Sequence, residues 1–158
     1  ALADTKGKVA IATDGFSAEY ELAGDAQRGL YILKAATTDA TVTALTANIS
    51  TAAADNQFTL RNNSAYAFNG TIVGRESAAN GTESAAFKIE GLVRREANAG
   101  TTTLVNSAIT VLSNADSWGG IALVADTSNG ALKINVTGKS STSIRWVATI
   151  DTSEVIYA

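Results

Sequence analysis

The sequence predicts an all-β domain, an antiparallel β-sandwich of jelly-roll-like character. Three observations predict it. Apolar and polar residues alternate with period two along most of the chain, as in strands with one wet face. Turn signals separate these runs at intervals of about 8–12 residues, the rhythm of a sandwich or barrel. No long run follows the 3.6-residue period of a helix.

The elements follow in order. Val9–Ala12 is a short strand inside a first segment rich in Ala, Gly and acids. That segment, residues 1–24, reads as an arm or connector, with the head domain spanning 25–158 and a soft boundary near Gly24. Leu30-Tyr31-Ile32-Leu33 is a short apolar strand, and Ile49–Asp55 a loop or at most one helical turn. Ala65–Val73 is a longer strand rich in β-formers, followed by Phe87–Glu90, a strand at Leu92, Thr103–Val111, Ile121–Asp126 and Leu132–Val136. The last strand carries Ile144, Trp146, Ala148 and Ile150 on one face and Arg145, Val147 and Thr149 on the other. Asn80-Gly81, Asn98-Ala99-Gly100 and Gly138–Ser141 divide these strands. Asn129-Gly130 reads as a two-residue hairpin, because Asn-Gly tolerates positive φ. The sum is about nine or ten strands between Lys8 and Asp151.

Composition narrows the function classes. The chain has 158 residues, 46% hydrophobic and 17% charged, so one real core is expected and charge-driven disorder is excluded. Only 6% of residues are aromatic, and the apolar share is mostly Ala and Val. Small side chains bury little area at about 25 cal/mol per Å². A thin core of this kind favours self-association. The net charge is −3, and the cations are scattered except at Arg94-Arg95, so no nucleic-acid partner is implied. No stretch approaches the roughly 20 apolar residues of a membrane-spanning helix. The chain opens Ala1-Leu2-Ala3 without Met and shows no signal-peptide pattern, so the expectation is a fragment or processed product.

Cys and His are absent, which removes thiol nucleophiles, disulfides and the commonest general base and transition-metal ligands. No catalytic, metal or cofactor-binding residues are therefore assigned, and no cofactor is expected. Gly138-Lys139-Ser140 superficially suggests a phosphate loop, but Lys133 stands where the pattern needs its first Gly, and a strand follows instead of a helix. Asp14, Glu19, Glu21 and Asp25 are acidic neighbours without the spacing of a calcium loop. The sequons at Asn48, Asn62, Asn69, Asn80 and Asn135 are what an Asn- and Thr-rich chain yields by chance. Phe68, Phe87, Trp146 and Ile150 are expected in the core or an interface. The expected receptor-contact residues lie on loop tips: Ala79, Asn80, Gly81, Asn98 and Trp118, the last because it sits between Asp116-Ser117 and Gly119-Gly120.

Longer strings carry a resemblance. They are Gly24-Asp25-Ala26-Gln27-Arg28, Asn63-Ser64-Ala65-Tyr66-Ala67-Phe68, Phe87-Lys88-Ile89-Glu90-Gly91, Asp126-Thr127-Ser128-Asn129-Gly130 and Arg145-Trp146-Val147-Ala148. In this order they resemble the C-terminal head module of tailed-bacteriophage and prophage tail-fibre-like structural proteins, over nearly all of the chain from Gly24 onward. The resemblance departs at Val73-Gly74-Arg75, where relatives carry a small residue and a second Arg. It implies a homotrimeric β-sandwich head on a virion, outside the cell. Its partners would be other virion proteins and a host-surface glycan or protein. It offers no catalytic residues to carry over, and with the usual nucleophile and base sets missing no enzyme is expected. A capsid decoration or head-fibre protein is the alternative, and a bacterial adhesin or pilus-like subunit a more distant one.

Overall fold

The computed structural model describes residues 1–16, 24–78, 81–114 and 116–157. Among these, ten antiparallel strands form: β1 (Lys8–Ala12), β2 (Ala26–Thr37), β3 (Val42–Ala44), β4 (Phe58–Thr59), β5 (Ser64–Glu76), β6 (Ser84–Arg95), β7 (Thr103–Asn114), β8 (Gly120–Asp126), β9 (Ala131–Thr137) and β10 (Ile144–Ile156). The helical content is one 3-10 turn at Ala99–Thr101. The fold class is all-β, as the alternation predicts.

The strands make two sheets. The large one has six strands in the order β1-β2-β10-β5-β6-β7. In the small one, β9 is central, with β8 on one side and the short β3 and β4 on the other. The core lies between the sheets. Tyr31, Leu33, Tyr66, Phe68, Ile72, Phe87, Ile89, Trp146 and Ile150 point inward from the large sheet. They meet Phe58, Leu132, Ile134 and Val136 from the small one. Each inward residue is separated by one outward residue, so the period of two in the sequence becomes a two-faced sheet. Few aromatics suffice because they cluster: Phe58 contacts Tyr31, Tyr66 and Phe68, with ring centroids 4.7, 6.1 and 5.6 Å apart.

Two features differ from the sequence reading. Residues 8–12 of the expected arm are hydrogen-bonded into the large sheet as its first strand. The β8–β9 connection is also longer than a two-residue turn. Asp126 pairs with Ala131, which leaves four residues in the loop, and Gly130 alone among them takes a positive φ, of 70°. Asp126 is the reason. Its carboxylate accepts bonds from the backbone N–H groups of Ser128 and Asn129 and from the Asn129 side chain, building a wider turn around an acidic cap.

Candidate functional site

The loop-tip residues fare unequally. Ala79 and Asn80 lie outside the described residues. Gly81 follows them, and its carbonyl and that of Thr82 accept bonds from the Arg75 guanidinium. Asn98 is exposed and opens the 3-10 turn, its carbonyl held by Thr101.

Trp118 is not a surface residue. It is 4% exposed and belongs to the core. Asn114 folds the segment back by accepting from the Trp118 N–H at 3.0 Å and donating to its carbonyl at 2.9 Å. The indole then packs edge-on against Trp146 at 5.4 Å. The two rings share the space over Gly74, where an added Cβ would lie 2.6 Å from one and 2.9 Å from the other. Gly74 is directly opposite Trp146 in the sheet, and the space its missing side chain leaves is where the second ring enters.

Among the acidic neighbours, Glu19 and Glu21 lie outside the described residues. The Asp25 carboxylate accepts from the Phe16 N–H at 3.2 Å.

A groove of about 530 Å³ lies where the small sheet meets the loop after β3. Thr43, Ile49, Ser50, Thr51, Lys133 and Asn135 line it. β3 pairs with the end of β9, which sets Ala44 opposite Asn135 and forms the floor. The wall is the segment 47–57, an irregular stretch tied down from beneath. Asn56 and Gln57 are 2% and 1% exposed. Asn56 donates to Asn48 and to the Thr51 carbonyl, both at 3.0 Å, and accepts from the Ala53 N–H at 2.8 Å. Gln57 donates to the Ala53 carbonyl and to Asp126. These bonds satisfy a loop that has no ladder of its own. They also hold Ile49, a β-branched residue, at φ 65° with its side chain 57% exposed at the groove mouth. Such a conformation is sparsely populated and persists only where the surroundings fix it.

The groove offers hydrogen-bonding groups and one cation. Its polar groups are hydroxyls, an amide and one ammonium, and no carboxylate lines it among the described residues. A pair of carboxyl groups is the usual equipment for cleaving a glycosidic bond. The ammonium of Lys133 is 3.3 Å from Asp126. Burial raises the Asp126 pKa, but the bonds from Asn129, Gln57 and Lys133 outweigh it and hold the carboxyl well below the usual range. Asp126 therefore stays ionised and anchors both the Gln57 wall and the Lys133 side of the groove. Nothing in the sequence marks this site, because its residues are spread from 35 to 135 and none is rare.

No family model matches the sequence, and no curated protein matches it. Among solved structures, the fold is similar to the tailspike protein gp49 of Acinetobacter baumannii bacteriophage Fri1, a capsular polysaccharide depolymerase. The identity is 16% and the TM-score 0.48, over 93% of this chain and 20% of that one. It is similar also to the tailspike of Acinetobacter phage vB_ApiP_P1, at 14% identity and a TM-score of 0.31, over 96% of this chain and 22% of that one. The chain thus spans about a fifth of each tailspike. At these distances no activity transfers.

Proposed function

We propose that this chain is the head domain of a bacteriophage tail-fibre-like virion protein, and that it attaches the particle to a polyhydroxyl glycan on the host surface without cleaving it. The observation that carries the reading is the groove beside the segment 47–57. A loop fixed by buried Asn56 and Gln57 presents Thr43, Ser50, Thr51 and Asn135 with little entropy left to lose on binding. Hydroxyls and amides suit a sugar chain, which offers donors and acceptors in equal measure. The string resemblance from Gly24 onward supports the virion context and the homotrimer. Exposed Asn98 and the turn at Gly81 are secondary contact points on the same scaffold.

Titration with capsular and lipopolysaccharide oligosaccharides from a panel of bacterial hosts, read by saturation-transfer NMR and calorimetry, tests this. A Thr51→Ala, Asn135→Ala double variant is expected to bind at least about tenfold more weakly, the loss of one or two net hydrogen bonds. Equal binding by the variant and the unaltered protein would remove the groove from the account.

A further inference from the structure

The two sheets differ in width, and the difference leaves one side of the sandwich open. Six strands spaced about 4.8 Å apart span roughly 24 Å, whereas a sheet three strands wide spans roughly 10 Å. The small sheet sits over the middle of the large one: Phe58 of β4 touches Tyr31 of β2, and Trp118 before β8 touches Trp146 of β10. β3 and β4 face the β2 side, so β8 falls on the β6–β7 side. β7 overhangs.

The consequence is visible residue by residue. Of the 12 residues of β7, only Leu104 and Asn114 are half-buried, and the rest are exposed. Ile109 pairs with buried Ile89 and Val111 with buried Phe87, so both point to the core side of the sheet. Yet Ile109 is 40% and Val111 61% exposed, so the small sheet leaves both uncovered. Val105 and Leu112 stand at two register shifts in the pairing with β6 and are 47% and 57% exposed. Leu104, Ile121 and Leu123 pack against the core and are themselves only partly covered. The core reaches the surface here. Among the described residues β7 pairs with β6 alone, so its second edge also carries unpaired backbone groups.

Charge identifies the occupant. From Ala97 to Ala125 Asp116 is the one charged residue, in a chain that is 17% charged. The outer face of the large sheet also shows apolar side chains, but they are interleaved with Arg28–Asp151 and Lys88–Glu90 pairs, as on a solvated face. Two different proteins gain specificity from opposite charges, while identical copies bring like charges together wherever a charged surface meets its own equivalent. A long apolar side stripped of charge is suited to meeting itself.

We propose that the β7–β8 side is the interface with a second copy of this chain, the equivalent sides packing together about a common axis. This deepens the homotrimer reading and rests on it. Analytical ultracentrifugation of the full chain at micromolar concentration tests it, comparing the unaltered protein with Val111→Lys, Leu112→Lys and, on the outer face, Val73→Lys. Both β7 variants are expected to weaken assembly at least about 100-fold, since like charges then face each other. Val73→Lys is expected to assemble normally. Near-ultraviolet circular dichroism of the Trp118–Trp146 pair separates loss of assembly from loss of fold: the β7 variants are expected to keep that signal as monomers. A trimer that survives both β7 substitutions overturns this placement and leaves the homotrimer standing. An unaltered protein that is monomeric overturns both.

Discussion

The two ends of the large sheet handle the same hazard in opposite ways. β1 and β7 are both edge strands, and an edge strand invites unwanted pairing. β1 has five residues and drives a lysine into the core. Lys8 reaches Glu154 at 2.9 Å, with both side chains fully buried, and its ammonium lies 5.2 and 5.5 Å from the rings of Tyr31 and Tyr66. Glu154 is further bonded by Gln27, Tyr31 and Thr152. Such a buried, multiply bonded pair admits one register and one partner for the strand. β7 is 12 residues long and has no charge at all. What the contrast teaches is that β1, although Val9 and Ile11 on it are exposed, is pinned to its own chain by a buried ion pair, whereas β7 carries no such anchor.

The largest expected effect comes from breaking the β1 lock. Glu154→Ala leaves Lys8 buried without its main counter-charge, which costs about 3–5 kcal/mol. For a domain of this size the thermal midpoint falls by about 6–20 °C. Calorimetry checks this. A drop of only a degree or two would mean that the pair does not hold the β1 end.

A smaller effect is expected at the turn beside β8, where Asp126 supplies the charge that the open side lacks. Its pKa is depressed in the folded state, so its contribution is present above the unfolded value of about 3.9 and is lost as pH falls toward the folded value. Stability should therefore decline below about pH 4, and Asp126→Asn should flatten that decline. The cost of that substitution at neutral pH is about 1–3 kcal/mol, the range for a lost charged hydrogen bond. Denaturant melts at stepwise lower pH read both effects. An unchanged acid slope in the variant would move the acid sensitivity elsewhere.

How far this was legible in the sequence follows the same contrast. The strands from Ala65 to Ile150 were readable because half-buried strands alternate, and alternation is local. Leu30–Leu33 was visible but not the full β2, since its flanks are Gly, Ala and polar residues that pair only because β10 lies beside them. The Lys8–Glu154 pair was not readable, because its partners are 146 residues apart and only sheet order joins them. Trp118 was misplaced because its flanks are polar and small, while its burial depends on Asn114 and Gly74. The groove was hidden for a like reason: Asn56 and Gln57 look like solvent-facing residues until their bonds are seen. In the sequence β7 is an ordinary strand, and its Leu104-Val105 and Ile109-Thr110-Val111-Leu112 give no sign that most of them stay exposed.

Hydrogen exchange along β7, followed by NMR as a function of protein concentration, tests the central claim most directly. If a second copy covers this side, amides between Thr103 and Asn114 gain protection when the protein assembles and lose it on dilution, while exchange in β1 does not change with concentration. Protection in β7 that does not change with concentration would contradict the claim.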